Sequence, residues 1–246
     1  MKVARPESAG GPPPRRTQAE RRARTSGRLL DAAIACLVDR GYAATTTAEV
    51  SRRAGVSQGA LFKHYPTKAS VLVAAVESLY ARLREDFRRD LDEAEGRSDR
   101  IRAALELLAG VFARAEVTAS LELHMAARTD PELRAAFEPV AADHHVEILA
   151  LASELFPVPP ERAKHFQTYI EMVLSVLQGA AIGALARPSA PPRSELLDAL
   201  EWLARRELGL GDAPTAVTPP SRGAASPSRP KRSSKGPAAH DPSEVS

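Results

Sequence analysis

Aromatic side chains are scarce in this sequence: Phe, Tyr and Trp make up 4% of its 246 residues, and Trp202 is the only tryptophan. Strands favour aromatic and β-branched residues, whereas Ala, Leu, Arg and Glu, abundant here, favour helices. Composition therefore leans to an all-α chain, and no run of strict polar–apolar alternation argues for a strand. Cysteine is nearly absent. Cys36 stands alone, so no disulfide can form within the chain, as expected of a reducing compartment. Its place among apolar residues of a helical pattern reads as core and not as a redox sensor. No stretch approaches the ~18 uninterrupted apolar residues of a membrane-spanning helix. Met1 to Pro14 lacks the apolar segment of a secretory signal. The expected compartment is the cytoplasm, with no membrane partner.

What is present is a chain that is 43% hydrophobic, enough to bury a core, with a net charge of only +3. That charge is unevenly spread. Residues 1–68 carry 13 Lys/Arg against 5 Asp/Glu, whereas residues 69–210 carry 16 against 23. A basic N-terminal quarter on an acidic body is the asymmetry expected when one end meets phosphate, although a solvated basic face gives the same count.

Pro, Gly, Ala and Ser dominate residues 1–16 and 211–246, so both are expected to be disordered tails. Helical patterns fill the span between them. The first starts between Thr17 and Thr25, with Thr17 and Glu20 at capping-box spacing. It carries the apolar rows Leu29, Ala33, Leu37 and Leu30, Ile34, Val38, and stops at Gly41. A short helix opens at Thr46-Thr47-Ala48-Glu49, a second capping box, and Gly55 stops it. Ser57 caps a third helix that ends before Pro66, where a fourth begins and runs to about Glu93. Later helices are expected at Asp99–Arg114, Glu116–Arg128, Pro131–Phe156, Glu161–Ala186 and Ser194–Leu208, with prolines punctuating the gaps.

The informative stretch is the short helix from Thr46, the Gly55-Val56-Ser57 turn and the short helix after it. That is helix-turn-helix spacing, and Val50, Ala54, Val56 and Leu61 can pack the pair onto the first helix. Gln58, Gly59, Ala60, Lys63 and His64 are left to face outward. Small residues admit close approach to a groove, Gln can pair with a base edge, and Lys and protonated His attract phosphate. The helix N-termini at Thr46 and Ser57 offer free N–H groups to phosphate oxygens, although each hydroxyl is equally explained as a plain cap. Arg52 and Arg53 stand either near phosphate or in solvent. Arg21, Arg22 and Arg24 form either a minor-groove arm or a flexible basic tail.

Leu29 to Leu72 resembles the N-terminal DNA-binding domain of TetR/AcrR-type repressors. The shared pattern is an apolar helix, Gly41-Tyr42, two hydroxyl residues, the Gly-Val-Ser turn, an aromatic pair, then Pro66, Thr67 and Lys68. Two positions depart from it: Phe62 stands where the family usually has Tyr and so lacks a hydroxyl often used on phosphate, and Tyr65 stands where Phe is usual. The resemblance implies that Lys68 and Thr46 touch backbone phosphate. It implies a body that dimerises through two long C-terminal helices, binds a small effector and, by family default, represses. The segment Leu121 to Leu133 also resembles the effector-domain stretch of some members.

The fold expected is thus all-α with about nine helices: a three-helix helix-turn-helix DNA-binding domain over 17–68, then a helical ligand-binding and dimerisation domain over 69–210. The expected function is a ligand-responsive repressor that binds a palindromic operator as a homodimer and is released by a small hydrophobic effector. Its DNA surface would comprise Thr46, Arg52, Ser57, Gln58, Gly59, Ala60, Phe62, Lys63, His64 and Lys68. The candidate effector-lining residues are His124, Arg128, Tyr169 and Gln178, polar groups on otherwise apolar helix faces, each also explicable as core or surface. The apolar stripe Phe166, Ile170, Val173, Leu174, Leu177, Ala181, Ala184 and a second over Leu196, Leu197, Leu200, Leu203 are candidates for the dimer seam. Glu122, His124, Asp143, His144 and Glu171 fall in no recognisable catalytic motif, so no enzyme and no cofactor are expected. His144 and His145 are adjacent and point to different helix faces, and no metal site is expected.

Overall fold

The computed structural model describes residues 17–94, 99–186 and 194–209, so the expected tails 1–16 and 211–246, and the prolines at 188, 191 and 192, lie outside the described residues. Among the described residues there are nine α-helices and no strand.

The head is built from three helices. Helix α1 (Gln18–Ala44) begins at Thr17 with both arms of its capping box in place. Arg21, Arg22 and Arg24 are helical and exposed on its first turns. Leu29, Ala33 and Leu37 are fully buried, while Val38, expected in the second apolar row, is 38% exposed. Gly41 interrupts the helix at φ +69, a conformation that disfavours any side chain, before one more turn to Ala44. Helix α2 (Thr47–Ala54) is capped by Thr46, whose Oγ accepts the Glu49 N–H at 3.2 Å. The expected box is only half formed, because the Glu49 carboxylate goes to Arg52 and Arg53 instead. Gly55, at φ +63, closes α2. Helix α3 (Gln58–His64) is capped by Ser57, and its Leu61 is completely buried beside Val50 and Ala54.

The fourth helix, α4 (Lys68–Glu93), does not begin at Pro66. Thr67 and Ser70 form its capping box and fix the start two residues later. It carries the core positions Val71, Leu72, Ala75, Val76 and Leu79. The body continues through α5 (Arg100–Phe112), α6 (Ala115–Ala126), α7 (Pro131–Leu155), α8 (Ala163–Ala186, preceded by a 3₁₀ turn at Pro160–Arg162) and α9 (Ser194–Leu208). Asp99 caps α5 and Asp130 caps α7, each through its carboxylate. α1 packs on α2, α4 and α6; α4 packs on α7; α5 packs on α8 and α9. One cluster of buried side chains runs from Leu29 in α1 to Ala204 in α9. Each fully buried Leu or Val in it contributes about 1.5–3 kcal/mol relative to exposure.

Pro160–Ala186 is long and apolar enough to cross a membrane by length and composition. One face of α8, through Phe166, Val173, Leu177 and Ala181, is buried in the body core. Those residues, expected at a dimer seam, are therefore covered within the chain. The other face of α8 leaves Met172, Ile182 and Leu185 exposed, and Trp202 of α9 is exposed as well.

Candidate nucleic-acid interface and body cavity

Burial of Leu61 on one side of α3 forces its remaining residues outward. Gln58, Gly59, Phe62 and Lys63 are exposed, and Ala60 and His64 half-buried. Phe62 has 45% of its surface open, so the ring that replaces the family's tyrosine lies bare on this face. A Cβ built on Gly59 would meet nothing closer than the Ser57 hydroxyl at 4.0 Å, so the protein itself does not require glycine there. Thr46 and Ser57 are exposed caps at the start of α2 and α3. Tyr65, the other departure, donates or accepts a 2.6 Å hydrogen bond with the Ser26 hydroxyl and so ties the end of α3 to α1.

Arg52 and Arg53 are not free cations. Arg52 grips Glu49 through Nε and Nη2 at 2.8 and 2.7 Å, and Arg53 bridges Glu49 and Asp39 at 3.0 and 2.6 Å. These hydrogen bonds, Arg52's first, draw the Glu49 carboxyl down to about 2. Lys68 is also engaged within the protein. Its Nζ donates to the Tyr42 carbonyl at 2.6 Å and lies 4.2 Å from the centre of the Tyr42 ring. Burial depresses its pKa, partly offset by Asp130.

Tyr42 is gripped from three helices. Its N–H donates to Glu122 of α6 at 2.8 Å, its hydroxyl to Asp130 at the cap of α7 at 2.6 Å, and Lys68 at the start of α4 holds its carbonyl. Burial, and then the bond to Asp130, raises the phenol's pKa. Gly41 makes this approach possible, since a Cβ there would sit 2.8 Å from the Glu122 carboxylate. Glu122, one of the acidic residues weighed for catalysis, thus holds the head against the body.

Helices α4 to α9 enclose a cavity of about 550 Å³, mostly apolar in lining. His124, Tyr169 and Gln178 line it; Arg128 does not, and stands exposed beyond the end of α6. Tyr169 is buried and donates to the Leu200 carbonyl at 2.7 Å, and burial raises its pKa. His124 meets Phe137 edge-on at 4.7 Å, and burial lowers its pKa. Lining residues that sequence reading missed include Tyr80, Arg84 and Ser120, while His144 had been weighed only for metal or catalysis. His144 stacks on Tyr80 at 3.7 Å with an interplanar angle of 9°, and Arg84 Nη1 lies 2.8 Å from its Nδ1. Burial, and then the Arg84 charge, pushes this imidazole down to about 4, so it is uncharged at neutral pH. No local signal could have paired Arg84 with a histidine sixty residues away.

Comparison with known proteins accords with this geometry. The family of bacterial regulatory proteins named for TetR matches residues 29–75, which hold most of α1, all of α2 and α3 and the start of α4. An uncharacterized HTH-type transcriptional regulator of Mycobacterium tuberculosis is 33% identical over 175 residues, spanning 70% of this chain and 90% of that protein. The HTH-type transcriptional regulator CymR of Pseudomonas putida is 42% identical over 122 residues, 50% of this chain and 60% of that one. The solved multidrug binding protein EbrR, complexed with imidazole, shares the fold at a TM-score of 0.52 and 23% identity, over 78% of this chain and 97% of its own. The helix-turn-helix, the all-α body behind it and a relative matched over nine-tenths of its length place the chain in one group: it belongs to the TetR family of DNA-binding transcriptional regulators.

Proposed function

We propose that this regulator is a repressor that binds a palindromic operator as a homodimer and leaves it when a small hydrophobic effector fills the body cavity. The reading head is residues 17–68 and the effector and dimer domain residues 69–210. The observation that carries the reading is the outward face of α3. Gln58, Phe62 and Lys63 stand exposed there and make no side-chain hydrogen bond among the described residues, while Leu61 anchors the opposite face. Gln58 reads base edges, Gly59 and Ala60 allow close approach, and Phe62 packs on the groove wall. Lys63, His64 and the N–H groups at Thr46 and Ser57 hold phosphate. Arg52 and Lys68 act from positions already held by Glu49 and Tyr42, and so give orientation more than free charge.

Effector and operator are coupled through α4 and α6. Tyr80, Leu83 and Arg84 of α4 line the cavity, and Lys68 at its other end holds Tyr42. Ser120, Leu121 and His124 of α6 line it too, and Glu122 points away to the same tyrosine. A guest that moves either helix therefore reaches the head by way of Tyr42. It can shift the equilibrium only by its differential affinity for the two arrangements. The dimer seam is the bare face of α8 with α9, where Met172, Ile182 and Trp202 are exposed.

Fluorescence anisotropy with a selected operator duplex tests the reading head. Lys63→Ala weakens binding to all sequences and lowers the salt slope by about 1, whereas Gln58→Ala changes preference at particular bases by about 1–3 kcal/mol. Wild-type behaviour in both variants rules out α3 as the recognition surface.

A further inference from the structure

We propose that the guest of the body cavity is an amphipathic monoanion, a hydrophobic carboxylate whose head meets Arg84 and His144 on the wall formed by α4 and α7. This rests on the reading of the cavity as the effector site. Among the residues lining it, Arg84 is the one Lys or Arg and Glu171 the one Asp or Glu. Glu171 lies 3.4 Å from His145 Nε2, and both side chains are half exposed. Arg84 is different. Its side chain is 21% exposed, and its carboxylate partner, Glu147, is 52% exposed and not part of the lining.

The arrangement sets the head group. Arginine has no acceptor atom, so the nitrogen it approaches on His144, Nδ1, must carry the lone pair, and the ring's proton sits on Nε2. His144 therefore keeps an N–H on Nε2 and brings no charge. The neighbouring Tyr80 hydroxyl is 3.4 Å from Ser120 Oγ. A neutral guest leaves Arg84 with only its half-exposed partner Glu147, and a cation gains nothing from the guanidinium. A carboxylate takes the guanidinium protons in charge-assisted hydrogen bonds and releases Glu147 to water, where a half-exposed carboxylate loses little. The rest of the lining, with Phe87, Leu105, Leu108, Phe166 and Leu174, takes the hydrocarbon. A volume of about 550 Å³ falls within the range of pockets for small organic ligands, ~300–1,000 Å³.

Calorimetric titration of the full chain with octanoate, octanol and octylamine compares one tail carrying three head charges. Octanoate binds about tenfold to a hundredfold more tightly than octanol, as charge-assisted hydrogen bonds require, and octylamine binds most weakly. Arg84→Gln removes that preference by weakening octanoate alone, and Arg84→Lys retains it. Glu147→Gln, which deletes the competing carboxylate, strengthens octanoate and leaves octanol unchanged. A preference that survives Arg84→Gln, or octanol binding as well as octanoate, overturns the anionic class. If all three probes bind alike and Leu174→Trp abolishes that binding, the effector cavity stands and the head-group assignment falls. If none binds, both fall.

Discussion

Substitution of Gly59 by alanine separates folding from DNA binding, because the two should move in opposite directions. Gly59 lies in the first turn of α3 without a positive φ, so alanine fits its backbone. The added Cβ meets nothing within the protein closer than 4.0 Å. Alanine at such a site stabilises by about 0.4–1 kcal/mol, chiefly by restricting the unfolded chain. At roughly 2–4 °C per kcal/mol for a protein of this size, Tm should rise by a few degrees at most. The same methyl group projects from the face assigned to the groove. Displacing one good base contact costs about 1–3 kcal/mol, so operator affinity should fall roughly 5- to 150-fold. Differential scanning calorimetry gives the first quantity and operator anisotropy the second. Unchanged affinity in a protein of equal or higher Tm would refute the placement of DNA against the start of α3. A fall in Tm would show that the α3 geometry itself is wrong.

Tyr42→Phe deletes the hydroxyl bond to Asp130 but leaves the backbone bonds to Glu122 and Lys68. Stability should drop by about 0.5–1.5 kcal/mol in urea unfolding, and amide exchange should quicken near residue 42; no change in either would sink the clasp. Ile182→Arg, on the bare face of α8, should leave a folded monomer by light scattering, whereas Leu177→Arg, fully buried, should unfold the chain; a dimeric Ile182→Arg protein would move the seam elsewhere. His144 has its pKa depressed from 6.5 to about 4, so the unfolded chain binds the proton more readily. Its contribution is whole above pH 6.5 and is lost as pH falls through 6.5 towards 4; urea unfolding should show that loss, and His144→Phe should flatten it. An unaltered pH profile in that variant would assign the dependence to other groups.

Local chemistry made much of the fold legible. Hydroxyl caps at Thr46 and Ser57 and the glycine at 55 mark the bounds of α2 and α3, because capping is decided within a few residues. The body helices from α5 to α9 also end within two residues of their expected bounds, α5 and α7 on the caps of Asp99 and Asp130 and α6 with no side-chain cap. Errors arose where a distant group competed. Glu49 has the spacing of a capping box, but two arginines outbid the backbone for its carboxylate. The hydrogen bond from Lys68 to the carbonyl of Tyr42, which follows the kink at Gly41, was likewise invisible locally, and it leaves the phosphate role of Lys68 a proposal. Periodicity identified the apolar stripe of α8 but not what covers it; α8 packs on α5 and α9 with Leu177 fully buried, and the bare face lies on Met172 and Ile182. Three of four candidate lining residues do meet the cavity. The polar wall of Arg84, His144 and Tyr80 was invisible, since it exists only once α4 and α7 are packed.

The most direct test of the account is selection of bound duplexes from a random pool by the full-length protein, followed by sequencing. Two helix-turn-helix heads related by a two-fold axis should enrich inverted half-sites. Their centres should lie about 34–36 Å, or roughly 10–10.5 base pairs, apart, or a multiple of that. Recovery of unpaired single half-sites, or no enrichment over the starting pool, would contradict it.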